Sequence, residues 1–402
     1  MKKYLLILII VTPFFTFAQE NNFGITFGGF VKTDFMMDTR QNVTVREGHF
    51  LLYPENQLLD AEGEDINAKG NFNILSIQSR LTGKITAPDA FGAKISGILE
   101  GAFFGQSNPD INGFRLRHAF VKLDWGKHVV IVGQYWHPMF IVDVFPDVIS
   151  FNTGVPFQPF SRNPQIRYTY KPSEVSISFT ASSQRDFQSN GPEGAVSTYL
   201  RNSALPMLNV NAQYSTPDLV LGAGADYKSL LPVTKSALNY KSDETINSVS
   251  FLAYGKFKKD LFTIKAEGLI GENNFDLLML GGYAVESTNS QTGIQSFTNI
   301  KIFSAWTDIS YGSDIQAGVF AGYTKNNGSN NIITGNNYSR GSNIDKVFRL
   351  SPRIVVTEGK VKFAAELEYT SAAYGTPDVY GKVINTETVS NVRLLLSSFL
   401  SF

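Results

Sequence analysis

Apolar and polar side chains alternate along much of the chain, in segments of about ten residues. In residues 75–85, Leu75, Ile77, Leu81 and Ile85 lie on one face of an extended strand, and the positions between them carry mainly polar side chains. Side chains of a β-strand point alternately to its two faces, so this period of two predicts a half-apolar strand. The same pattern predicts sixteen strands, at 23–37, 72–86, 91–104, 114–125, 128–137, 164–171, 174–184, 206–215, 219–228, 247–258, 261–271, 297–310, 313–325, 347–357, 360–374 and 389–402.

The connections between these predicted strands alternate between short and long. The short links are rich in Pro, Gly, Asp and Ser, which favour turns; they are 87–90, 125–127, 171–174, 216–218, 258–260, 311–314 and 358–360. The long ones are 38–71, 105–113, 138–163, 185–205, 229–246, 272–296, 326–346 and 375–388. A soluble β-sandwich also alternates along its strands, but it has no reason to sort its connections in this way.

Short turns at one end and long loops at the other are typical of outer-membrane β-barrels. The chain is therefore predicted to be all-β, a transmembrane antiparallel β-barrel of about sixteen strands with short periplasmic turns and long extracellular loops. Residues 277–286 are interpreted as part of a loop that folds back, although an additional strand there would break the even count. The last strand puts Val392, Leu394 and Leu396 on one face and ends at Phe402, as in outer-membrane proteins.

The first residues favour export. Lys2 and Lys3 precede an apolar run that ends at Phe17, and Ala18 follows, which is the pattern of a secretory signal peptide at 1–18. A membrane anchor helix is the alternative, but the run is short and contains Pro13. Residues 19–402 are then expected to form a single barrel domain.

Composition narrows the class further. The 35 basic and 35 acidic residues balance, so no global charge points to nucleic acid as a partner. The chain contains no cysteine, which excludes disulfides and a lipoprotein anchor. Its 32 Phe, 17 Tyr and 34 Gly are dispersed, as a barrel facing membrane lipid requires.

Basic side chains recur on the polar strand faces, which a membrane barrel turns towards its lumen. Guanidinium is permanently charged and forks onto carboxylate or phosphate oxygens, so such a wall favours anionic solutes. The alternative is that these arginines pair with Glu100, Glu267, Glu366 and Glu368 and stiffen the wall. The candidate pore-lining and substrate-binding residues are Arg80, Arg115, Arg117, Arg162, Arg167, Lys171, Arg349, Arg353 and Arg393.

The long link 138–163 is rich in proline and phenylalanine. Five phenylalanines would be poorly placed in water, so we expect this segment to fold into the barrel as a constriction loop or to pack at a subunit contact. Folded inwards, it would bring Arg162 near Arg115 and Arg167.

Four segments resemble DcaP-like porins and, more loosely, phosphate-selective porins. They are GFVKTDF at 29–35, RLRHAFV at 115–121, GQYWHP at 133–138 and PFSRNPQIR at 159–167. The resemblance implies a sixteen-stranded barrel, a homotrimer of the bacterial outer membrane, that lets small, mostly anionic solutes diffuse passively. The expected partners are then membrane lipid, small solutes and further copies of the chain.

Enzymatic alternatives find little support in the sequence. The histidines His49, His118, His128 and His137 form no hydrolase or zinc-protease motif, and His118 is expected on the face opposite Arg115 and Arg117. We expect no catalysis, no metal and no cofactor. An outer-membrane hydrolase and a non-conducting structural or adhesion barrel remain the alternatives.

Overall fold

The computed structural model describes residues 23–105 and 108–402; the expected signal peptide lies outside them. The strands are β1 (Gly24–Asp38), β2 (Asn42–Val45), β3 (Phe50–Pro54), β4 (Asn71–Leu75), β5 (Arg80–Ala90), β6 (Ala93–Phe103), β7 (Phe114–Asp124), β8 (His128–Trp136), β9 (Arg162–Tyr170), β10 (Val175–Ser182), β11 (Met207–Ser215), β12 (Leu219–Leu230), β13 (Ile246–Lys259), β14 (Phe262–Glu272), β15 (Gly282–Thr288), β16 (Gln295–Gly312), β17 (Ile315–Gly328), β18 (Ile344–Glu358), β19 (Val361–Pro377) and β20 (Val383–Ser401). The helix α1 (Thr198–Asn202) and the 3₁₀ turns Asn108–Asp110 and Phe275–Leu277 lie between strands. Across this described part, no helix has the length and apolar content needed to cross a membrane.

The strands close into an antiparallel barrel. β1 pairs with β20, from Phe30 opposite Ser401 to Asp38 opposite Arg393, and on its other edge it pairs with β4 and β5. β4 and β5 act as one strand interrupted at 76–79, and β15 pairs with the outer part of β16 and forms a bridge from Ala284 to Asn337 in the loop after β17. Counted in this way, the described residues form a sixteen-stranded barrel, as predicted.

Alternation along each strand separates an apolar outside from a mainly polar inside. In β18, Phe348, Leu350 and Ile354 are exposed on the outer surface, whereas Arg349 and Arg353 are buried in the interior. An exposed apolar surface on the outer face of a closed barrel is the arrangement that lipid contact requires. Trp125, Phe257, Phe262 and Tyr311, near the short turns, also lie outside.

Three predicted boundaries are wrong. Residues 87–90 continue β5, because the turn is made by Phe91 and Gly92, both at positive φ (55° and 73°). The long loop predicted at 375–388 is mostly strand, since β19 and β20 run on to a connection at 378–382. Residues 277–286 are not simply loop: they include the end of a 3₁₀ turn and the start of β15, outside the barrel count.

We call residues 137–161 the inward segment, because they fold into the barrel and fill part of its interior. Its apolar side chains pack with those of β3 and with the inner surface of β13, β16 and β17, forming one hydrophobic core. Burying this much apolar and aromatic surface holds the segment against the wall. Core members include Phe50, Leu52, Met139, Phe140, Val144, Phe151, Val155, Phe157, Phe160, Leu252, Trp306 and Phe320.

Barrel closure depends on a close backbone approach at Gly29. Its N–H donates to the Phe402 carbonyl (3.1 Å), and a Cβ at this position would lie 2.1 Å from the Arg80 carbonyl oxygen. We expect Gly29→Ala to destabilise the barrel by about 1–3 kcal/mol, the usual cost of overpacking. The measurement is the unfolding midpoint of protein refolded in lipid vesicles.

Gly24 provides the matched control, since it lies on the same strand and a Cβ there would meet nothing within 4 Å. Equal midpoints for Gly29→Ala and Gly24→Ala would show that this approach does not limit closure.

Candidate functional site in the barrel lumen

Three arginines from separate parts of the chain converge on one carboxylate. Asp186, in the loop after β10, lies 2.8 Å from Arg115 and from Arg162 and 3.2 Å from Arg46. Arg115 stands on β7, Arg162 begins β9, and Arg46 lies in the turn between β2 and β3. The hairpin and the loop therefore complete a site that the wall strands only begin.

A second group continues the first along the wall. Arg117 donates to Glu100 at 2.7 Å, and Arg80 lies 3.7 Å from the same carboxylate. Arg162 is near enough to both arginines for their positive charges to repel. We call Arg46, Arg80, Arg115, Arg117 and Arg162 the arginine cluster. These five guanidinium groups are opposed at the site by two carboxylates, so the cluster carries excess positive charge.

Several donors of the arginine cluster are unused. Arg46 Nε and Nη1 and Arg162 Nη1 are buried and have no hydrogen-bond partner within 23–105 and 108–402. The Arg46 guanidinium packs 5.0–5.3 Å from the ring centroids of Phe50, Phe104 and Phe187, which hold it in place. The side chains of Arg46 and Arg162 are 0% exposed, so these two groups contribute positive charge to the site rather than a surface that a solute contacts.

Asp186 stays ionised within this cluster. Burial alone would raise its pKa, but the positive charges of Arg162, Arg115 and Arg46 hold the pKa of Asp186 well below its usual value. A carboxylate surrounded by cations is stabilised in its charged form. Asp186 therefore stays negatively charged at neutral and mildly acidic pH.

The alternation predicted His118 on the face opposite Arg115 and Arg117, and this prediction is wrong. The register between β6 and β7 shifts after Glu100, which pairs with His118, while Gly101 pairs with Leu116. This β-bulge leaves Arg117 as the extra residue and turns both Arg117 and His118 inwards. His118 is buried beside Trp136, 3.9 Å from Glu100.

Three other predicted arginines lie on β18 and β20 and hold parts of the barrel together. Arg353 forms a two-bond ion pair with Asp308 (2.7 and 2.8 Å), and Arg393 forms one with Asp38 (2.7 and 2.9 Å). Arg349 donates to the carbonyls of Val155 and Leu51, both at 2.8 Å, and so fastens the inward segment and β3 to the wall.

The four glutamates that could pair with lumen arginines have different partners. Glu100 pairs with arginine, whereas Glu366 accepts the Ile149 N–H at 2.7 Å and Glu267 lies 3.4 Å from Trp306 Nε1. Glu368 lies 3.8 Å from Arg349 and accepts a hydrogen bond from Asn152 at 2.8 Å. Glu366 and Glu368 thus secure the inward segment, and Glu100 and Glu267 do not contact it in this way.

The remaining two predicted residues lie apart. Arg167 faces a separate cavity nearer the turn end of the barrel and donates to the Trp136 carbonyl at 2.9 Å, away from Arg162 and Asp186. Lys171 was predicted on the lumen face of a strand, but β9 ends at Tyr170 and Lys171 is exposed in the turn. The nine candidates therefore divide into a cluster, a structural set and two separate positions.

The histidines are dispersed among different partners. His49 lies 3.2 Å from Asp34, His128 contacts the Tyr168 hydroxyl at 2.7 Å, and His137 accepts the Met139 N–H at 3.2 Å. Within the part of the chain that is described, no group of three or more His, Cys, Asp or Glu side chains is arranged to hold a metal ion.

Solved structures of outer-membrane channels have the same architecture. The outer membrane channel DcaP of Acinetobacter baumannii matches with a TM-score of 0.70 at 16% identity, over 95% of this chain and 98% of that one. The fold is that of an outer-membrane porin. The trimer form of Vibrio cholerae OmpT (TM-score 0.56, 11% identity, 95% and 100% covered) and the anion-selective porin of Comamonas acidovorans (0.55, 12%, 94% and 100%) also match.

The predicted resemblance to DcaP-type channels is thereby confirmed for the fold. No protein-family model and no curated protein matches the chain. Residues missed by the sequence reasoning are Arg46 and Asp186, which lie outside the barrel strands. A loop has no face alternation, and the two positions are 140 residues apart, so no local signal joins them.

Fully buried and partly exposed arginines should contribute differently to the free energy of unfolding. We expect Arg353→Met to cost about 3–5 kcal/mol, because Asp308 would remain buried and unpaired. Adding Asp308→Leu should recover part of that loss. The unfolding midpoint in lipid vesicles measures both effects.

Arg80→Met is the matched control. Its guanidinium is partly exposed and Glu100 keeps Arg117, so the loss should be at most about 1 kcal/mol. Equal losses for Arg80→Met and Arg353→Met would remove the distinction between the two classes of arginine.

Proposed function

We propose that this protein is a porin of the bacterial outer membrane, through which small hydrophilic, mainly anionic solutes diffuse passively. The observation that carries the proposal is the arginine cluster, where five guanidinium groups face two carboxylates inside a closed barrel. A wall of excess positive charge raises the local concentration of anions and lowers that of cations.

Accessibility supports a passage along this wall. The side chains of Arg80 and Arg115 are 23% and 17% exposed, whereas those of Arg349, Arg353 and Arg393 are at most 2% exposed. Within the arginine cluster, Arg80 and Arg115 are therefore the members that a passing solute can contact, whereas the side chains of Arg46, Arg117 and Arg162 are at most 3% exposed and act through their charge. In this proposal the segment 138–163 narrows the lumen and directs solutes past the arginine cluster.

Transport in this proposal uses weak, successive contacts. The accessible members of the cluster, Arg80 and Arg115, can offer hydrogen bonds to a carboxylate or phosphate, but Glu100 and Asp186 compete for the same donors. Competition keeps each contact short-lived, which conduction requires, since a solute held tightly at one position would not leave it. The solute moves down its own gradient, and the protein supplies no energy.

A homotrimer is part of the proposal. Its support is the resemblance of residues 29–167 to trimeric porins and the trimer form in which Vibrio cholerae OmpT was solved. The mass of the detergent-solubilised protein, measured by light scattering with the detergent contribution subtracted, distinguishes one copy from three.

A non-conducting structural barrel is the second candidate. It is favoured by the hydrophobic core that the inward segment and β3 build inside the lumen, which leaves less room for water. The two candidates differ in a single measurement, the conductance of the purified protein in a planar lipid bilayer.

We expect stepwise single-channel conductance and, under a salt gradient, a reversal potential of the sign given by anion preference. Arg117→Gln and Arg162→Gln should each shift that reversal potential towards the cation side, because each removes one positive charge from the lumen. The measurement is the reversal potential of the wild type and the two variants in the same potassium chloride gradient.

Arg201→Gln is the control, since Arg201 is exposed on α1 outside the barrel strands and its removal changes the net charge equally. A wild-type reversal potential of the cation-selective sign would overturn the anion preference. Absence of conductance from correctly folded protein would favour the structural barrel.

A further inference from the structure

A second polar cavity lies in the lumen, separate from the arginine cluster. It has a volume of about 260 Å³ and lies between the inner surface of β9, β10, β11 and β13 and the start of the inward segment. Small-molecule sites commonly occupy about 300–1,000 Å³, so an occupant of this cavity must be small. Its lining includes one cation, Arg167, and one carboxylate, Asp143.

Neither charge is neutralised by a protein partner. Among residues 23–105 and 108–402, Arg167 and Asp143 form no ion pair with each other or with any other side chain. The Lys256 ammonium contacts the backbone carbonyl of Asp143 at 3.3 Å and not its carboxylate. Two opposite charges thus line the same small cavity and remain open to a solute.

The guanidinium is held in place with donors to spare. Arg167 Nη2 donates to the Trp136 carbonyl at 2.9 Å, and the group lies 5.3 Å from the centroid of the Tyr135 ring. Its Nε is enclosed, whereas its Nη1 has no hydrogen-bond partner in the described chain and keeps accessible surface. A fixed guanidinium with an unused donor is suited to bind a carboxylate.

Neighbouring polar side chains also hold the Asp143 carboxylate in position. Gln213 Nε2 donates to Asp143 Oδ2 at 2.9 Å, and the Tyr254 hydroxyl contacts Gln213 Oε1 at 3.1 Å. Tyr254 also donates to Asn211 Oδ1 at 2.7 Å, which leaves Asn211 Nδ2 without a partner among the described residues. This chain of polar contacts holds the Asp143 carboxylate in position at the cavity wall.

We propose that this cavity is a binding site for zwitterionic solutes of the α-amino acid class. The solute's carboxylate binds Arg167, its ammonium group binds Asp143, and its side chain lies against the apolar lining provided by Pro138 and Val142. The inference rests on the proposed porin function and adds a solute class that the positively charged arginine cluster does not select. A zwitterion carries no net charge, so it is not repelled by that cluster.

The experiment uses three probes that differ in which charged groups they carry: L-glutamine has both an ammonium and a carboxylate, N-acetyl-L-glutamine has only the carboxylate, and L-glutaminamide has only the ammonium. Each is added to the purified protein in a planar bilayer, and its concentration for half-maximal block of the ion current is measured. We expect glutamine to block at the lowest concentration. Arg167→Gln and Asp143→Asn should each raise that concentration by about tenfold or more, the loss expected for one charge-assisted hydrogen bond.

The controls are Arg201→Gln and Asp314→Asn, which remove the same charges at exposed positions outside the cavity. Asp143→Asn retains an acceptor for Gln213, so the variant tests charge and not packing. If N-acetyl-L-glutamine blocks as well as glutamine and Asp143→Asn changes neither, the cavity is an anion site and the inference is wrong. The inference is also wrong if glutaminamide blocks the current at the same concentration as glutamine, because the carboxylate then contributes nothing to binding.

Failure of the porin function gives a different result. If the wild-type protein does not conduct, glutamine binding is measured by titration calorimetry on the detergent-solubilised protein. Binding that Arg167→Gln and Asp143→Asn both weaken would support the site even in a closed barrel. Absence of binding heat for glutamine would overturn it.

Discussion

The closed ring of backbone hydrogen bonds is the constraint on which the rest of the structure depends. In lipid an open strand edge would leave N–H and C=O groups without partners, so β1 must pair with β20 on one edge and with β4 and β5 on the other. Once the ring is closed, the two-residue period of each strand sends alternate side chains inwards. The interior then collects charged and polar groups that a soluble protein would keep on its surface, and each needs a partner or water.

The interior charges meet this requirement in two ways. On β18 and β20, Arg353 and Arg393 are paired with single aspartates, and Arg349 donates to the carbonyls of Val155 in the inward segment and Leu51 in β3. The arginine cluster, by contrast, outnumbers its two carboxylates, and only Arg80 and Arg115 among its members keep substantial contact with water. Hydration stabilises the charge of these two, whereas Arg46 and Arg162 are 0% exposed and depend on Asp186.

The strand period predicts which side chains of the barrel wall point inwards, but it does not predict which loop residues enter the barrel. The outward Phe348 and Leu350 and the inward Arg349 and Arg353 follow directly from strand period, and so does the inward placement of Arg167. The period failed at His118, because a β-bulge at Arg117 inserts one residue without any signature that alternation can register. It also could not find Arg46, Asp186 or the presence of Asp143 and Arg167 in one cavity. These residues are brought together by loops that fold inwards, and their contacts span from 24 to 140 residues along the chain.

The inward segment explains why equal arginines acquire unequal roles. Its phenylalanines pack into a core inside the lumen, and the Arg353 guanidinium, which is 0% exposed, forms a two-bond ion pair with Asp308. The residue after the segment, Arg162, is also enclosed and joins Arg115 at Asp186. The segment carries Asp143 to the cavity that contains Arg167. In the proposed porin, the number of arginines on the wall strands therefore matters less for selectivity than which of them the inward segment leaves in contact with water.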